Sequence, residues 1–145
     1  MQKFRVLFLC TGNSCRSQMA EGWARHLHPD TIEAYSAGTA PTTLNPRAVQ
    51  VMAEVGVDIA KQTSKHVDDL AGLEFDYLIT VCGHADEQCP VLAGAQRRLH
   101  VGFDDPPRLA QDAATEEQAL APYRRVRDEI RDWIKNLPAD LEQGA

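Results

Sequence analysis

The stretch Cys10-Thr11-Gly12-Asn13-Ser14-Cys15-Arg16-Ser17 constrains the fold of this chain more than any other, because of what flanks it. The apolar run Val6-Leu7-Phe8-Leu9 precedes it, and Met19, Ala20, Trp23, Ala24 and Leu27 recur at helical spacing behind it. A buried strand, a tight loop and a helix in that order make the opening unit of a doubly wound α/β domain. In such a unit the loop's backbone N–H groups and the helix N-terminus face one point, where a tetrahedral anion can sit. Thr11, Gly12, Asn13, Ser14, Cys15 and Ser17 would supply that cradle, and Arg16 offers a planar fork for two of the anion's oxygens. The same positive field draws the thiol of Cys10 from a free pKa of about 8.5 into the ~3.5–7.5 range. A tight turn with an ordinary buried cysteine is the alternative, but it leaves the joint presence of Cys, Gly, Arg and Ser without a reason.

The rest of the chain reads as further strands and helices of one domain over residues 1–137, with a short tail at 138–145. Strands are expected at Lys3–Leu9, Thr31–Ser36, Phe75–Val81 and Leu99–Phe103, the second ended by Ala37-Gly38. They make a small, about four-stranded parallel sheet flanked by helices, a three-layer arrangement. The first helix runs from Ser17 and is closed by Pro29. Asn45-Pro46 opens a second, with Asn as N-cap and Pro at the first helical position, and Gly56 stops it. Residues 61–69 are polar and irregular, with room for a short helix. Asp104-Asp105-Pro106-Pro107 is a stiff loop in which no regular helix is expected to start early. Thr115 to Gln118 resembles a capping box, and Tyr123, Val126, Ile130, Trp133 and Leu137 form the stripe of a long final helix. Pro122 predicts a kink in that helix, or a start near residue 122.

Composition removes several classes of function. A formal net charge of −6 argues against general nucleic-acid binding. No apolar run approaches the ~18 residues of a membrane span, and the N-terminus lacks the pattern of a secretory signal, so the cytoplasm is the expected compartment. In that reducing setting the four cysteines, Cys10, Cys15, Cys82 and Cys89, point to metal binding, catalysis or redox exchange. The spacings C-x₄-C and C-x₆-C are poor for structural zinc, so no metal is expected.

Two reactions suit a thiolate beneath an oxyanion. In phosphoryl transfer Cys10 attacks phosphorus, and Asp104 or Asp105 protonates the leaving oxygen. That chemistry needs one cysteine and leaves Cys82 and Cys89 without a role. In a redox reaction Cys82, at the end of a strand, attacks the Cys10 sulfur, and Cys89 then attacks Cys82, leaving a disulfide for an external reductant. A redox sensor or an oxyanion-binding module would need the thiols but no acid.

The segment Cys10 to Glu21, the Cys82…Cys89-Pro90 stretch and Gly102-Phe103-Asp104-Asp105-Pro106 closely resemble the thioredoxin-coupled arsenate reductases, which share the fold of the low-molecular-weight tyrosine phosphatases. The resemblance spans nearly the whole chain, and the Cys82/Cys89 pair makes it specific. It implies arsenate as substrate, thioredoxin as electron donor, and a monomer acting without a cofactor, a phosphate-monoester phosphatase being the alternative. It also implies Cys10 as nucleophile, Arg16 as anion ligand, Asp105 as acid, Cys82 and Cys89 as relay, and Ser17 as a hydrogen-bond donor to the Cys10 thiolate. Cys15 matches a loop cysteine without an essential role. Some members of the family hold a monovalent cation with side chains matching Asn13, Glu21 and Ser36, plus a carboxylate. Lys65 stands at the position of that carboxylate, so its ammonium is expected to pair with Glu21 and take the cation's place.

Overall fold

The computed structural model describes residues 3–81 and 95–137. Four strands, β1 (Phe4–Cys10), β2 (Ile32–Gly38), β3 (Phe75–Thr80) and β4 (Ala95–His100), form one parallel sheet in the order β2-β1-β3-β4. Val6, Leu7, Phe8 and Leu9 are completely buried, as expected of a central strand covered on both faces. The chain leaves β1 toward β2 on one side and returns past it to β3 on the other. The carboxyl ends of β1 and β3 therefore flank the topological switch point, where doubly wound sheets bind ligands. Cys10 is the last residue of β1, at that crevice.

Helix α1 (Arg16–Leu27) follows the loop and packs on β1, β2 and α4 (Glu116–Ile134). Its Trp23 donates its indole N–H to the carbonyl of Arg127 on α4, 3.1 Å away. Helix α2 (Pro46–Glu54) starts as expected: Asn45 Oδ1 accepts from the N–H groups of Arg47 and Ala48 at 2.8 and 3.3 Å. Gly56, at φ 81°, follows its end. A short 3₁₀ turn, η1 (Val67–Leu70), leads to β3.

Three expectations require correction. The fourth strand is Ala95–His100, not Leu99–Phe103. It lies at the sheet's edge, where one side faces water and exposed Arg97 and Arg98 fit as well as apolar residues. The later residues still follow β3, with the N–H groups of Val101 and Phe103 donating to the carbonyls of Thr80 and Val81 at 2.8 and 3.2 Å. The double proline does begin a helix, α3 (Pro106–Leu109). Both prolines fall in its first turn, where no intrahelical partner awaits an N–H. Helix α4 starts well before Pro122, because Thr115 Oγ1 caps the Gln118 N–H at 3.1 Å and Ala119 and Leu120 are already buried. Burial and capping outweigh the one hydrogen bond that Pro122 removes. Cys82, Cys89 and the 138–145 tail lie outside the described residues.

Candidate active site

The loop between β1 and α1 owes its shape to where its carbonyls go. Those of Thr11, Gly12 and Ser14 accept from the N–H groups of Ala40, Thr42 and Asn45 at 2.9, 3.1 and 2.9 Å. Ser64 Oγ also donates to Gly12, Gln18 Nε2 donates to the Asn13 carbonyl, and the Cys15 carbonyl takes the Met19 N–H. A trans peptide sets its N–H opposite its carbonyl. Turning five successive carbonyls outward therefore turns the N–H groups of residues 12–16 inward, toward one centre. The N-terminus of α1 adds its positive end to that centre.

Asn13 is the loop's internal tie. It is completely buried at φ 47°, and its Nδ2 donates to Ser17 Oγ at 2.9 Å. Its Oδ1 accepts from the Lys65 N–H at 2.9 Å and from Gln18 Nε2 at 3.1 Å. That arrangement uses Ser17 Oγ as an acceptor, and its hydroxyl proton remains to donate. Gly38, at the end of β2, comes so close to the loop that a Cβ there would lie 2.4 Å from the Thr11 carbonyl oxygen.

Arg16 reaches toward the acid segment. Its Nη1 donates to the Phe103 carbonyl at 2.9 Å, and its Nη2 lies 3.6 Å from Asp105 Oδ1. The two neighbouring aspartates, equivalent in sequence, diverge here. Asp105 turns to Arg16, whereas Asp104 turns away and pairs with Arg125 on α4 at 3.0 Å. The Phe103 ring packs on Trp133, which in turn meets Phe8 of β1 edge-on. Cys10 and Cys15 are both buried, and burial pushes the Cys15 thiol well above its usual range, with Asp105 adding to the shift and Arg16 opposing it. Cys15 thus stays a protonated, weakly nucleophilic thiol.

Beside the loop, Glu21, Ser36 and Lys65 gather around Asn13. Ser36 Oγ donates to Glu21 Oε1 at 2.6 Å, and Lys65 Nζ donates to the carbonyls of Ser36 and Thr63 at 3.0 and 2.8 Å. The expected Lys65–Glu21 ion pair is absent. Arg25, one turn along α1, pairs with Glu21 at 3.0 Å instead, and Lys65 senses that carboxylate only at longer range. Burial holds the Lys65 ammonium below its usual range, partly offset by Glu21. The Lys65 ammonium thus donates to backbone carbonyls beside the Glu21–Ser36 pair and not to the side-chain oxygens of Asn13, Glu21 or Ser36.

Residues 5–144 match the family model described as low molecular weight phosphotyrosine protein phosphatase. The chain belongs to that family. Among curated relatives, an arsenate reductase of Halalkalibacterium halodurans is 47% identical over 137 residues, 94% of this chain and 96% of that protein. A solved arsenate reductase in the phosphate binding state superposes with a TM-score of 0.78 at 32% identity, covering 94% of this chain and 98% of the other. A thioredoxin-dependent arsenate reductase of Corynebacterium glutamicum gives a TM-score of 0.68 at 25% identity, covering 99% of this chain and 64% of that one.

The structure brings Cys10, Arg16, Asp105 and the 11–17 loop to one end of the sheet. Sequence reasoning missed Gln18, Arg25, Phe103 and Arg125. Gln18 is completely buried, and a polar residue interrupting the apolar face of α1 was the one available signal. Phe103 acts through its carbonyl, which no side-chain pattern reveals.

Proposed function

We propose that the protein reduces arsenate to arsenite, with Cys10 as nucleophile and thioredoxin as the source of electrons. Arsenate sits in the 11–17 loop, its charge met by inward N–H groups and by Arg16. The Cys10 thiolate attacks arsenic, an As–O bond breaks, and Asp105 gives the proton with which that oxygen leaves as water. Cys82 then attacks the Cys10 sulfur. The S–As bonding pair stays on arsenic, which departs as arsenite, reduced by two electrons, while Cys10 and Cys82 become joined. Attack of Cys89 on Cys82 frees Cys10, and reduced thioredoxin returns two electrons and two protons to the Cys82–Cys89 disulfide.

One observation carries this reading over simple phosphatase chemistry. The Val81 N–H donates to the Leu9 carbonyl at 2.9 Å, so the residue before Cys82 lies beside the residue before Cys10. A phosphatase has no use for a second cysteine next in sequence after Val81, and a reaction ending in a disulfide does. The thioredoxin dependence of the Corynebacterium relative supports the donor. Such chemistry suits the reducing cytoplasm, and one chain supplies every residue named, which fits a monomer. Among the described residues no helix is long and apolar enough to cross a membrane.

Arsenate turnover coupled to thioredoxin, thioredoxin reductase and NADPH tests the relay. Cys82→Ser and Cys89→Ser should each abolish it while leaving aryl phosphate hydrolysis largely intact. Arsenate turnover that survived both changes would overturn the relay. The same reading makes the enzyme indifferent to potassium, because the Lys65 ammonium sets a positive charge beside the oxygens a cation would need. Rates at fixed ionic strength should be equal in potassium and sodium chloride, and a strong rise specific to potassium would count against that role for Lys65.

A further inference from the structure

A cavity of about 450 Å³ opens on the flank of α1, away from Cys10, between the Glu21–Arg25 turn and residues 56–65. Three cations line it, Arg25, Lys61 and Lys65, against two carboxylates, Glu21 and Asp58. Glu21 and Arg25 engage one another, and Arg25 Nη2 also donates to the Ala34 carbonyl at 3.1 Å, so the cations left without a carboxylate are Lys61 and Lys65. Glu21 accepts from Ser36 Oγ and pairs with Arg25, and Asp58 Oδ1 accepts from the Ala60 N–H at 2.9 Å. Neither Lys61 nor Lys65 has a salt-bridge partner among the described residues. Lys65 Nζ gives two of its three donors to carbonyls, and the third remains. The chain as a whole carries a formal net charge of −6, so this excess of positive charge in a concave site is local.

We propose that this cavity is a second oxyanion site, taking a doubly charged phosphate or sulfate group between Arg25, Lys61 and Lys65. Its volume exceeds that of a bare ion and falls in the range of small-molecule pockets, so the group is accepted free or carried on a small molecule. Burial holds the Lys65 ammonium below its usual range, and a neighbouring anion favours its charged form.

The wall of the cavity is also the brace of the catalytic loop. Gln62 Nε2 donates to the carbonyl and to Oε1 of Gln18 at 3.0 and 2.8 Å, and Gln18 Nε2 holds Asn13. The Lys65 N–H holds Asn13 from the other side. An occupant therefore bears on the loop through Gln62 by way of Gln18 and through the backbone of Lys65, and the site is regulatory in position.

Backbone amide shifts of the ¹⁵N-labelled chain test this apart from any turnover of arsenate. Sodium sulfate and glycerol 3-phosphate are titrated separately, at ionic strength held constant with chloride, into the unsubstituted chain and into Arg16→Ala, which cripples the catalytic loop's own anion site. Saturable shifts over residues 56–65 are expected in both, with equal affinity. Lys61→Gln should weaken that affinity about fivefold or more. Similar saturation by the two probes assigns the free ion, and tighter binding of glycerol 3-phosphate assigns the carried group. Shifts confined to residues 10–17, shifts rising linearly with concentration, or an affinity unmoved by Lys61→Gln would each overturn the proposal.

Discussion

Asn13 combines a left-handed backbone at φ 47° with a buried amide that satisfies Ser17, Gln18 and Lys65 together. Asn tolerates that conformation better than most side chains, and Gly better still. Asn13→Ala loses both the backbone fit and the amide, leaving the Lys65 N–H without its acceptor and Ser17 Oγ without its donor. A buried unsatisfied group costs ~1–3 kcal/mol, and the strained φ about 1 kcal/mol more. Urea denaturation should therefore show Asn13→Ala less stable by roughly 2–4 kcal/mol, and Asn13→Gly less damaged by about 1 kcal/mol. Equal losses would mean that the backbone at residue 13 carries no strain. The two loop cysteines divide along similar lines. Burial keeps Cys15 protonated, whereas Cys10 ends β1 at the mouth of the cradle.

The acid segment is an element-scale device, held to the loop by Arg16 and to α4 by Arg125. Arg125 pairs with Asp104 at 3.0 Å and with Glu129 at 2.9 Å, both largely exposed. Exposed pairs contribute ~0.2–1 kcal/mol, so Arg125→Ala should lower kcat for arsenate about two- to fivefold with KM nearly unchanged. A rise in KM at constant kcat would mean that the 103–107 segment serves binding rather than placement of Asp105. Neither Arg125 nor the Phe103 carbonyl stood out in the sequence, because both act through contacts between segments far apart in the chain. What was legible there is local. Val6–Leu9 announced a covered central strand, Asn45-Pro46 a helix start, and the Cys10–Ser17 spacing an anion cradle. Errors arose where tertiary context outweighed a local rule. Edge strand β4 accepts arginines that apolar patterning rejects, and the cap at Thr115 carries α4 through Pro122.

At the scale of the molecule, the cradle is made by residues that the loop does not contain. Its outward carbonyls are met from Ala40, Thr42, Asn45, Ser64 and Gln18, so its inward donors are fixed before any anion arrives. Such preorganisation lets the donors stabilise charge without reorganising during the reaction. Gly38 is where these supports converge. It ends β2, pairs with Cys10 in the sheet, donates its N–H to the Lys65 carbonyl at 2.9 Å, and approaches the loop backbone. A Cβ there would lie 2.4 Å from the Thr11 oxygen, 2.9 Å from the Cys10 oxygen and 3.0 Å from the Asn13 nitrogen, all backbone atoms. No side chain can swing aside to relieve that contact, so either the loop or the end of the sheet must move. Overpacking of this kind costs ~1–3 kcal/mol, and in a chain of this size each kcal/mol lowers Tm by about 2–4 °C. Gly38→Ala should therefore melt roughly 3–10 °C lower and also bind phosphate more weakly at the catalytic loop. A lower Tm with unchanged phosphate affinity would mean that the sheet end yields and the loop keeps its shape. Loss of both would tie the geometry of the cradle to the packing of β1 against β2.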